Sequence, residues 1–159
     1  MQDTATRHFL ERAIALAESN VLSNTGGPFG AVIVRSGSII AEGQNMVTLS
    51  NDPTAHAEIV AIRQACQAVG KFSLEGCDIY CSCEPCPMCL SAIYWARLSG
   101  VYFAATKEDA ADAGFDDSFL YREVVLPLAE RSILAMNDLR AEGQRPMQLW
   151  KKAVAKTLY

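Results

Sequence analysis

Two short segments constrain this chain more than any other feature of its sequence. They are His56-Ala57-Glu58 and Pro85-Cys86-Pro87-Met88-Cys89. Each stands near a proline that is typical of a helix start, and Cys86 and Cys89 are three residues apart, on one side of a helical turn. The partial positive charge at a helix N-terminus favours a thiolate and disfavours a protonated histidine. The sequence therefore predicts two helix N-termini with side chains suited to a metal ion.

One imidazole and two thiolates form the ligand set of a catalytic zinc site, in which a fourth position is left for water. We predict that His56, Cys86 and Cys89 bind one Zn²⁺ per subunit. Glu58 lies two positions after the histidine, so it reaches the metal only if its helix points end-on at the site. A carboxylate placed there takes a proton from the metal-activated water and delivers it to a leaving amine.

The cysteine pattern also allows a second interpretation. All six cysteines lie between residues 66 and 89, and the sequence has no visible secretory signal and no run long enough to span a membrane. We therefore expect a reducing cytoplasm and thiols rather than disulfides. The alternative to the three-ligand site is a closed structural zinc site formed by Cys81, Cys83, Cys86 and Cys89. In that case the histidine and the glutamate would be ordinary helix residues.

Hydrophobic periodicity predicts the order helix, hairpin, helix, strand, helix, strand. The helices are expected at 3–21, at 53–69 with Asp52 as its cap, and at 85–98, and the last of these is apolar nearly all round and therefore expected to be buried. The strands are expected at 29–34, 38–45, 77–83 and 101–105, and two further helices at 118–125 and 146–156. Strands that alternate with helices imply crossover connections and an α/β layered domain.

The motifs belong to a longer pattern that resembles the cytidine-deaminase-like superfamily, and most closely its branch of bacterial guanine deaminases. The matching segments are residues 26–34, 51–58, 83–89, 93–97 and 113–119. The zinc core is common to the superfamily, whereas the Gly-Phe-Asp-Asp-Ser-Phe segment and the terminal tyrosine point to the guanine branch. The resemblance implies a three-layer α/β/α fold with a central mixed five-stranded sheet.

The resemblance also implies an activity in purine metabolism, the hydrolysis of guanine to xanthine and ammonia. In that reaction zinc hydroxide attacks the ring carbon that bears the amino group, and Glu58 is the proton shuttle. Asn45 matches the base-binding asparagine of the family, and Asp117 matches a second acid near the departing amino group. Because Asp116 is adjacent, the choice between the two aspartates stays open. From spacing alone, Asn45 is a strand-end turn residue and Asp117 a solvated loop acid.

Three further residues are expected at the substrate, namely Phe29, Ala57 and Trp95. The aromatic side chains would wall the pocket and stack on a purine, although the helical position of Trp95 alone favours a place in the core. Residues 1–159 are expected to form a single deaminase domain. In similar proteins the C-terminal segment, here about 140–159, crosses to a partner subunit. We therefore expect a domain-swapped homodimer in which Tyr159 covers the neighbouring site.

Charge separates the competing functions. Fourteen basic and eighteen acidic residues give a net charge of −4. This balance argues against a tRNA adenosine deaminase, which shares residues 52–58 and the Pro-Cys-x-x-Cys segment but needs a basic surface for RNA. A cytosine-type deaminase is another alternative, and a non-catalytic zinc module that scaffolds partners is a third. Glu58 argues against the scaffold, because a structural zinc site does not need it. We expect a small purine as substrate, and neither nucleic acid nor membrane as partner.

Overall fold

The computed structural model describes residues 4–158, except for the side chain of residue 5. Within that range seven α-helices, four strands and one 3-10 helix follow one another along the chain. They are α1 (Thr4–Leu22), β1 (Gly30–Arg35), β2 (Ser38–Gln44), α2 (Val47–Ser50), α3 (Ala57–Val69), β3 (Cys77–Cys83), α4 (Pro87–Trp95), β4 (Gly100–Ala105), α5 (Lys107–Asp112), α6 (Ser118–Glu123), the 3-10 helix (Leu128–Glu130) and α7 (Arg140–Lys152).

The four strands form one mixed sheet in the order β2-β1-β3-β4. Strand β1 pairs antiparallel with both β2 and β3, whereas β3 and β4 are parallel. The predicted hairpin is confirmed, and α4 supplies the expected crossover between two parallel strands. A register shift opposite Ile33 and Val34 marks a bulge in the hairpin, so Ile39 and Ala41 pack on opposite faces of the sheet.

Alternation along the central strands separates two cores. Ile33 and Ile79 belong to a cluster that includes three alanines of α3 and Ile93 of α4. Val32 and Tyr80 point to the opposite face, where Phe9 and Leu16 of α1 cover them. The sheet is therefore flanked by helices on both faces, as the three-layer prediction requires.

Two glycines allow the helices to lie directly against the strands. A Cβ on Gly30 would collide with the carbonyl oxygen of Ala13 in α1, and a Cβ on Gly43 would collide with that of Ala57 in α3. A side chain at either position would push a helix away from the sheet. Because Ala57 follows His56 directly, the contact at Gly43 also fixes where the first predicted zinc ligand lies.

The prediction of a fifth strand is wrong for residues 4–158, in which the sheet ends at β4. After β4 the chain enters α5 through a capping box. The Thr106 hydroxyl accepts the Asp109 N–H at 3.3 Å, and the Asp109 carboxylate accepts the Thr106 N–H at 2.8 Å. These bonds begin a helix immediately after the strand. The regular elements that follow are all helical.

Helix α3 begins later than predicted. Asp52 does not cap it, because its carboxylate accepts the N–H and the hydroxyl of Thr54 at 2.8 and 2.7 Å in a local turn. The cap is His56. The predicted end is confirmed, since Gly70 closes the helix with a left-handed φ of 66°.

The prediction that α4 is buried is also wrong. Only Cys89 and Ile93 of this nine-residue helix are buried. Tyr94 and Trp95 are 74% and 65% exposed. One side of the helix packs on the core, and the large apolar side chains on its other side are exposed.

The chain divides into two compact units, Met1–Asp117 and Ser118–Tyr159. The second unit contains α6, the 3-10 helix and α7, and none of its residues up to 158 is buried. Helix α7 begins at Arg140, earlier than predicted, because Pro146 lies inside the helix and not at its start. None of the helices in residues 4–158 has the length and hydropathy needed to cross a membrane.

Candidate active site and metal centre

Helices α3 and α4 begin with the predicted metal ligands. His56 is the N-cap of α3 and Cys86 is the N-cap of α4, each with an extended backbone. Neither side chain makes the hydrogen bond to its own helix that a capping residue usually makes. Cys89 follows in the first turn of α4 and is fully buried. Three side chains from two helix starts are therefore directed to one another.

The distances fit a tetrahedral metal ion. The Nδ1 atom of His56 lies 3.6 Å from the Sγ atom of Cys86 and 3.5 Å from that of Cys89. A tetrahedral zinc with Zn–N and Zn–S bonds of about 2.05 and 2.3 Å would place nitrogen and sulfur ~3.6 Å apart. All three ligand atoms lie within 4.8 Å of one another. Among the histidine, cysteine and acidic side chains of residues 4–158, those of His56, Cys86 and Cys89 are the candidates for binding a metal.

The four-thiolate alternative does not match this arrangement. Cys81 is buried in the core cluster between the sheet and α3. The Cys83 thiol donates to the carbonyl oxygen of Thr106 at 3.3 Å, and burial raises its pKa to about 11. A buried protonated thiol behaves as a small apolar side chain with a weak donor. Neither cysteine is in the group that contains His56.

Hydrogen bonds among His56, Cys86 and Cys89 shift the pKa values of these side chains. The pKa of Cys86 is lowered to about 4, because Cys89 donates a hydrogen bond to it and His56 adds a second. The pKa of His56 is raised, mainly by its hydrogen bond to Cys86. This pairing outweighs the helix N-terminus, which was expected to keep the imidazole neutral. A metal ion requires deprotonated thiols and a neutral imidazole, so its binding releases these protons.

Glu58 meets the condition set by its spacing. Because His56 is the N-cap, Glu58 is the second residue of α3. The helix therefore presents its N-terminal end to the metal group, which consists of His56, Cys86 and Cys89. The carboxylate is 8% exposed and lines the same cavity as His56 and Cys86. Burial raises its pKa above the ordinary value, and the charge of Cys86 adds to that rise. A raised pKa suits a carboxyl group that accepts and returns a proton near neutral pH.

A cavity of about 370 Å³ adjoins the metal group. Its size lies within the range of small-molecule sites. All its lining residues belong to the first unit of the chain. Six of them were predicted from the sequence: Phe29, Asn45, His56, Glu58, Cys86 and Asp117.

Backbone hydrogen bonds orient the Asn45 side chain. Its Oδ1 atom accepts the N–H groups of Gly27 and Val47, at 3.4 and 3.3 Å. The residue is 7% exposed and lines the cavity. Because two donors hold the oxygen, the Nδ2 amino group is the part of this side chain left to donate to a ligand.

The cavity lining also contains an aromatic pair and one of the two candidate aspartates. Phe29 and Phe115 contact edge to face, with ring centroids 4.9 Å apart. Asp117 lines the cavity, and Asp116 is not among the lining residues. Partial burial raises the pKa of the Asp117 carboxyl, and the nearby charge of Cys86 adds to the rise.

Two of the predicted substrate residues that the structure describes do not line this cavity. Ala57 is buried at the first position of α3 and belongs to the core cluster with Ile33 and Ile79. Trp95 instead borders a shallow surface depression with Tyr94 and Arg97. Tyr159 lies outside the described residues.

The cavity also contains residues that the sequence reasoning missed. Glu84 accepts the N–H of Lys107 at 3.2 Å, and both residues line the cavity. Val47 and Thr48 line it from α2, a helix of four residues. So short a helix has no periodicity to detect. Glu84 was detectable, because it lies between the end of β3 and the Pro85–Cys89 segment.

Comparison with known proteins places this site in a family. Residues 3–105 match the model of the cytidine and deoxycytidylate deaminase zinc-binding region. The chain belongs to this deaminase family. The matched region contains both helix starts, so His56, Cys86 and Cys89, the group that could hold a metal ion, lie within a zinc-binding deaminase domain.

Individual relatives extend the match beyond the zinc core. The chain is 56% identical over 151 residues to the guanine deaminase of Bacillus subtilis (strain 168), covering 95% of this chain and 97% of the relative. The X-ray structure of guanine deaminase from Bacillus subtilis superposes with a TM-score of 0.94 at 55% identity, covering 96% of this chain and 98% of that one. A tRNA-specific adenosine deaminase of Agrobacterium fabrum is 43% identical over 109 residues, covering 67% of this chain and 71% of the relative.

Proposed function

We propose that the protein is a zinc-dependent aminohydrolase that converts guanine to xanthine and ammonia in purine salvage or catabolism. The observation that carries this proposal is the buried Glu58 carboxylate, which shares one cavity with the metal group, Asn45 and Asp117. The choice of guanine is supported by the guanine deaminase relative, whose match spans nearly the whole chain. The match to the tRNA deaminase covers two thirds of it.

The metal and the protein have separate tasks in this reaction. When bound by His56, Cys86 and Cys89, zinc supplies a water that ionises near neutral pH and a Lewis acid for the substrate. Glu58 accepts the proton of the attacking water and returns it to the substrate, so that the amino group leaves as ammonia. The low exposure of Glu58 keeps bulk water from competing for that proton.

The remaining side chains bind and orient the base. The Nδ2 group of Asn45 donates to a carbonyl or ring-nitrogen acceptor of the purine, since its oxygen is already bound. Asp117 accepts hydrogen bonds from the amino group and the ring N–H of guanine. Phe29 supplies an apolar ring face for stacking. The hydrogen bonds of Asn45 and Asp117 discriminate guanine from a base with a different arrangement of donors and acceptors, whereas stacking on Phe29 accepts any base.

A substrate panel tests the proposal. Ammonia release is measured from guanine, adenine, cytosine and a tRNA anticodon stem-loop, with the zinc-loaded full chain and with Glu58→Gln as the blank. We expect guanine to be the preferred substrate. Preference for the stem-loop or for cytosine would overturn the assignment of guanine as the substrate and leave the deaminase chemistry in place. If no ammonia were released from any of these compounds, the result would support the scaffold alternative.

Asp117→Asn is expected to lower kcat/KM for guanine by about 10- to 100-fold, because a carboxylate acceptor is replaced by a group that also donates. Asp116→Asn is the matched control, since that aspartate is adjacent in the chain but does not line the cavity. Its kcat/KM should stay within about twofold of the wild-type value. Xanthine formation measures both, and the reverse ranking would assign the role to Asp116.

We also propose a homodimer in which the C-terminal segment of one chain covers the site of the other. Two apolar surfaces support it. Leu90, Tyr94 and Trp95 are exposed along α4, and in the second unit Leu149 and Trp150 are exposed as well. Exposed apolar surface of this extent is characteristic of an interaction site.

The six free thiols, two of which must stay reduced to bind zinc, support a cytoplasmic location.

Deleting residues 157–159 is expected to collapse guanine turnover and leave the zinc content at one ion per chain, because the ligands lie far earlier in the sequence. Xanthine formation, atomic absorption and the mass in solution are measured together. Unchanged turnover would contradict a lid formed by Tyr159, and a monomeric wild-type protein would contradict the swap.

A further inference from the structure

Asn20, near the C-terminal end of α1, is a buried polar residue that the chemistry described so far does not use. It is 2% exposed. Its Nδ2 group donates to the carbonyl oxygens of Gly27 and Asn45, both at 2.9 Å. Its Oδ1 atom accepts the hydroxyl of Thr25 at 2.7 Å. Both amide hydrogens and the amide oxygen therefore have partners within the protein.

These bonds join the two segments that orient the Asn45 side chain. The Gly27 N–H donates to Asn45 Oδ1, and the Gly27 carbonyl is held by Asn20. The Asn45 carbonyl is held by the same carboxamide. The buried carboxamide of Asn20 thus holds both residues of the Gly27 N–H to Asn45 Oδ1 hydrogen bond. That hydrogen bond leaves the Nδ2 group of Asn45 directed to a ligand.

The packing leaves little room for another arrangement. A Cβ on Gly26 would collide with the Asn45 carbonyl oxygen and would lie 2.8 Å from Asn20 Nδ2. The end of α1 is itself fixed, because the N–H of Thr25 donates to the Asn20 carbonyl at 3.1 Å and Asn24 adopts a left-handed φ of 54°. The clamp, by which we mean the bonds of the Asn20 carboxamide to Gly27 and Asn45, therefore has one geometry, and the C-terminal end of α1 defines it.

We propose that Asn20 is a positioning residue for the substrate, whose buried carboxamide sets the orientation of Asn45 in the cavity. This inference rests on the proposed function, because it takes Asn45 as the residue that binds the base. Asn20 touches no residue of the metal group in its hydrogen bonds, so it acts on binding of the base and not on zinc.

The test is a double-mutant cycle on the zinc-loaded full chain. Asn20→Ala is expected to raise KM for guanine and to weaken xanthine binding in calorimetry by about 10- to 100-fold, with zinc stoichiometry unchanged. In the Asn45→Ala background, the same Asn20→Ala change should weaken binding by less than about threefold, because its effect passes through Asn45. Additive effects of the two substitutions would overturn the proposal.

Two further variants separate positioning from general stability. Gln44→Leu is the matched control, since Gln44 Nε2 also joins β2 to α1 by donating to the Leu16 carbonyl at 2.8 Å, whereas the side chain of Asn20 bonds Gly27, Asn45 and Thr25. It should lower thermal stability and leave KM unchanged, and an equal rise in KM would contradict the proposal. If Asn20→Ala does not fold, Thr25→Val removes only the hydroxyl that holds the amide, and it should raise KM about threefold to tenfold.

The outcome for the wild-type protein distinguishes the two proposals. If the wild-type chain does not act on guanine, the proposed function fails. If it does act on guanine and Asn20→Ala binds xanthine as tightly as the wild type, the proposed function stands and the positioning role of Asn20 is wrong.

Discussion

Glu58→Gln is expected to lower kcat for guanine by about 10²- to 10⁴-fold, with a much smaller change in KM. Glutamine keeps the shape of the side chain and its place in the cavity, but it cannot accept the proton of the attacking water. The loss should therefore fall on the chemical step. Pre-steady-state and steady-state xanthine formation measure it, and atomic absorption measures the zinc content in the same samples.

The structure offers a matched control for this substitution. Glu84 is a second carboxylate that lines the same cavity, and it accepts a backbone N–H from α5. Glu84→Gln should retain kcat within about tenfold, because an amide oxygen still accepts that bond. Wild-type turnover in Glu58→Gln would remove the proton shuttle from the mechanism. Loss of zinc in Glu58→Gln would make this carboxylate a metal ligand, which also contradicts its proposed role.

Cys89→Ala is expected to abolish zinc binding at micromolar metal, and with it all detectable guanine turnover. The variant removes one of three ligands at a position that no solvent molecule reaches from the surface, since Cys89 is fully buried. Two remaining protein ligands do not hold zinc with the affinity of three. Zinc stoichiometry after dialysis and xanthine formation are the two measurements.

Cys81→Ala is the control that decides between the two zinc sites allowed by the sequence. Cys81 is buried in the core, eight residues before Cys89 in the chain, and is absent from the metal group. This variant should keep one zinc ion and its activity, at a cost of about 1 kcal/mol in the free energy of unfolding. If Cys81→Ala lost its zinc as completely as Cys89→Ala, the four-thiolate site would be correct.

Much of the first unit is predictable because local chemistry and the fold agree there. The bounds of β3 follow from the alternation along residues 77–83. The end of α3 follows from Gly70, because glycine adopts the left-handed conformation of a helix C-terminus without steric cost. The metal group is predictable for a different reason. A histidine and two cysteines at two helix starts have few common uses besides a metal, so their spacing is informative without any knowledge of their distances.

The errors arise where a local signal competes with another local bond or depends on the tertiary structure. Asp52 and Pro53 form a typical helix start, yet Asp52 binds Thr54 and the helix begins at His56. The apolar sequence of α4 indicates burial, but only one of its sides meets the core of its own chain. The role of Asn20 depends on contacts with residues 7 and 25 positions away, which no periodicity reveals.

The two residues at the N-caps of α3 and α4 have a consequence for protein engineering. Helix N-caps are usually serine, threonine, aspartate or asparagine, and each such cap contributes about 1 kcal/mol of stability. Here His56 and Cys86 occupy these positions without a capping bond. A procedure that optimises stability alone would therefore replace both of these proposed zinc ligands with Asp or Ser. The metal-free chain would become more heat-resistant but could no longer bind zinc, so stability and catalysis are opposed at these two positions.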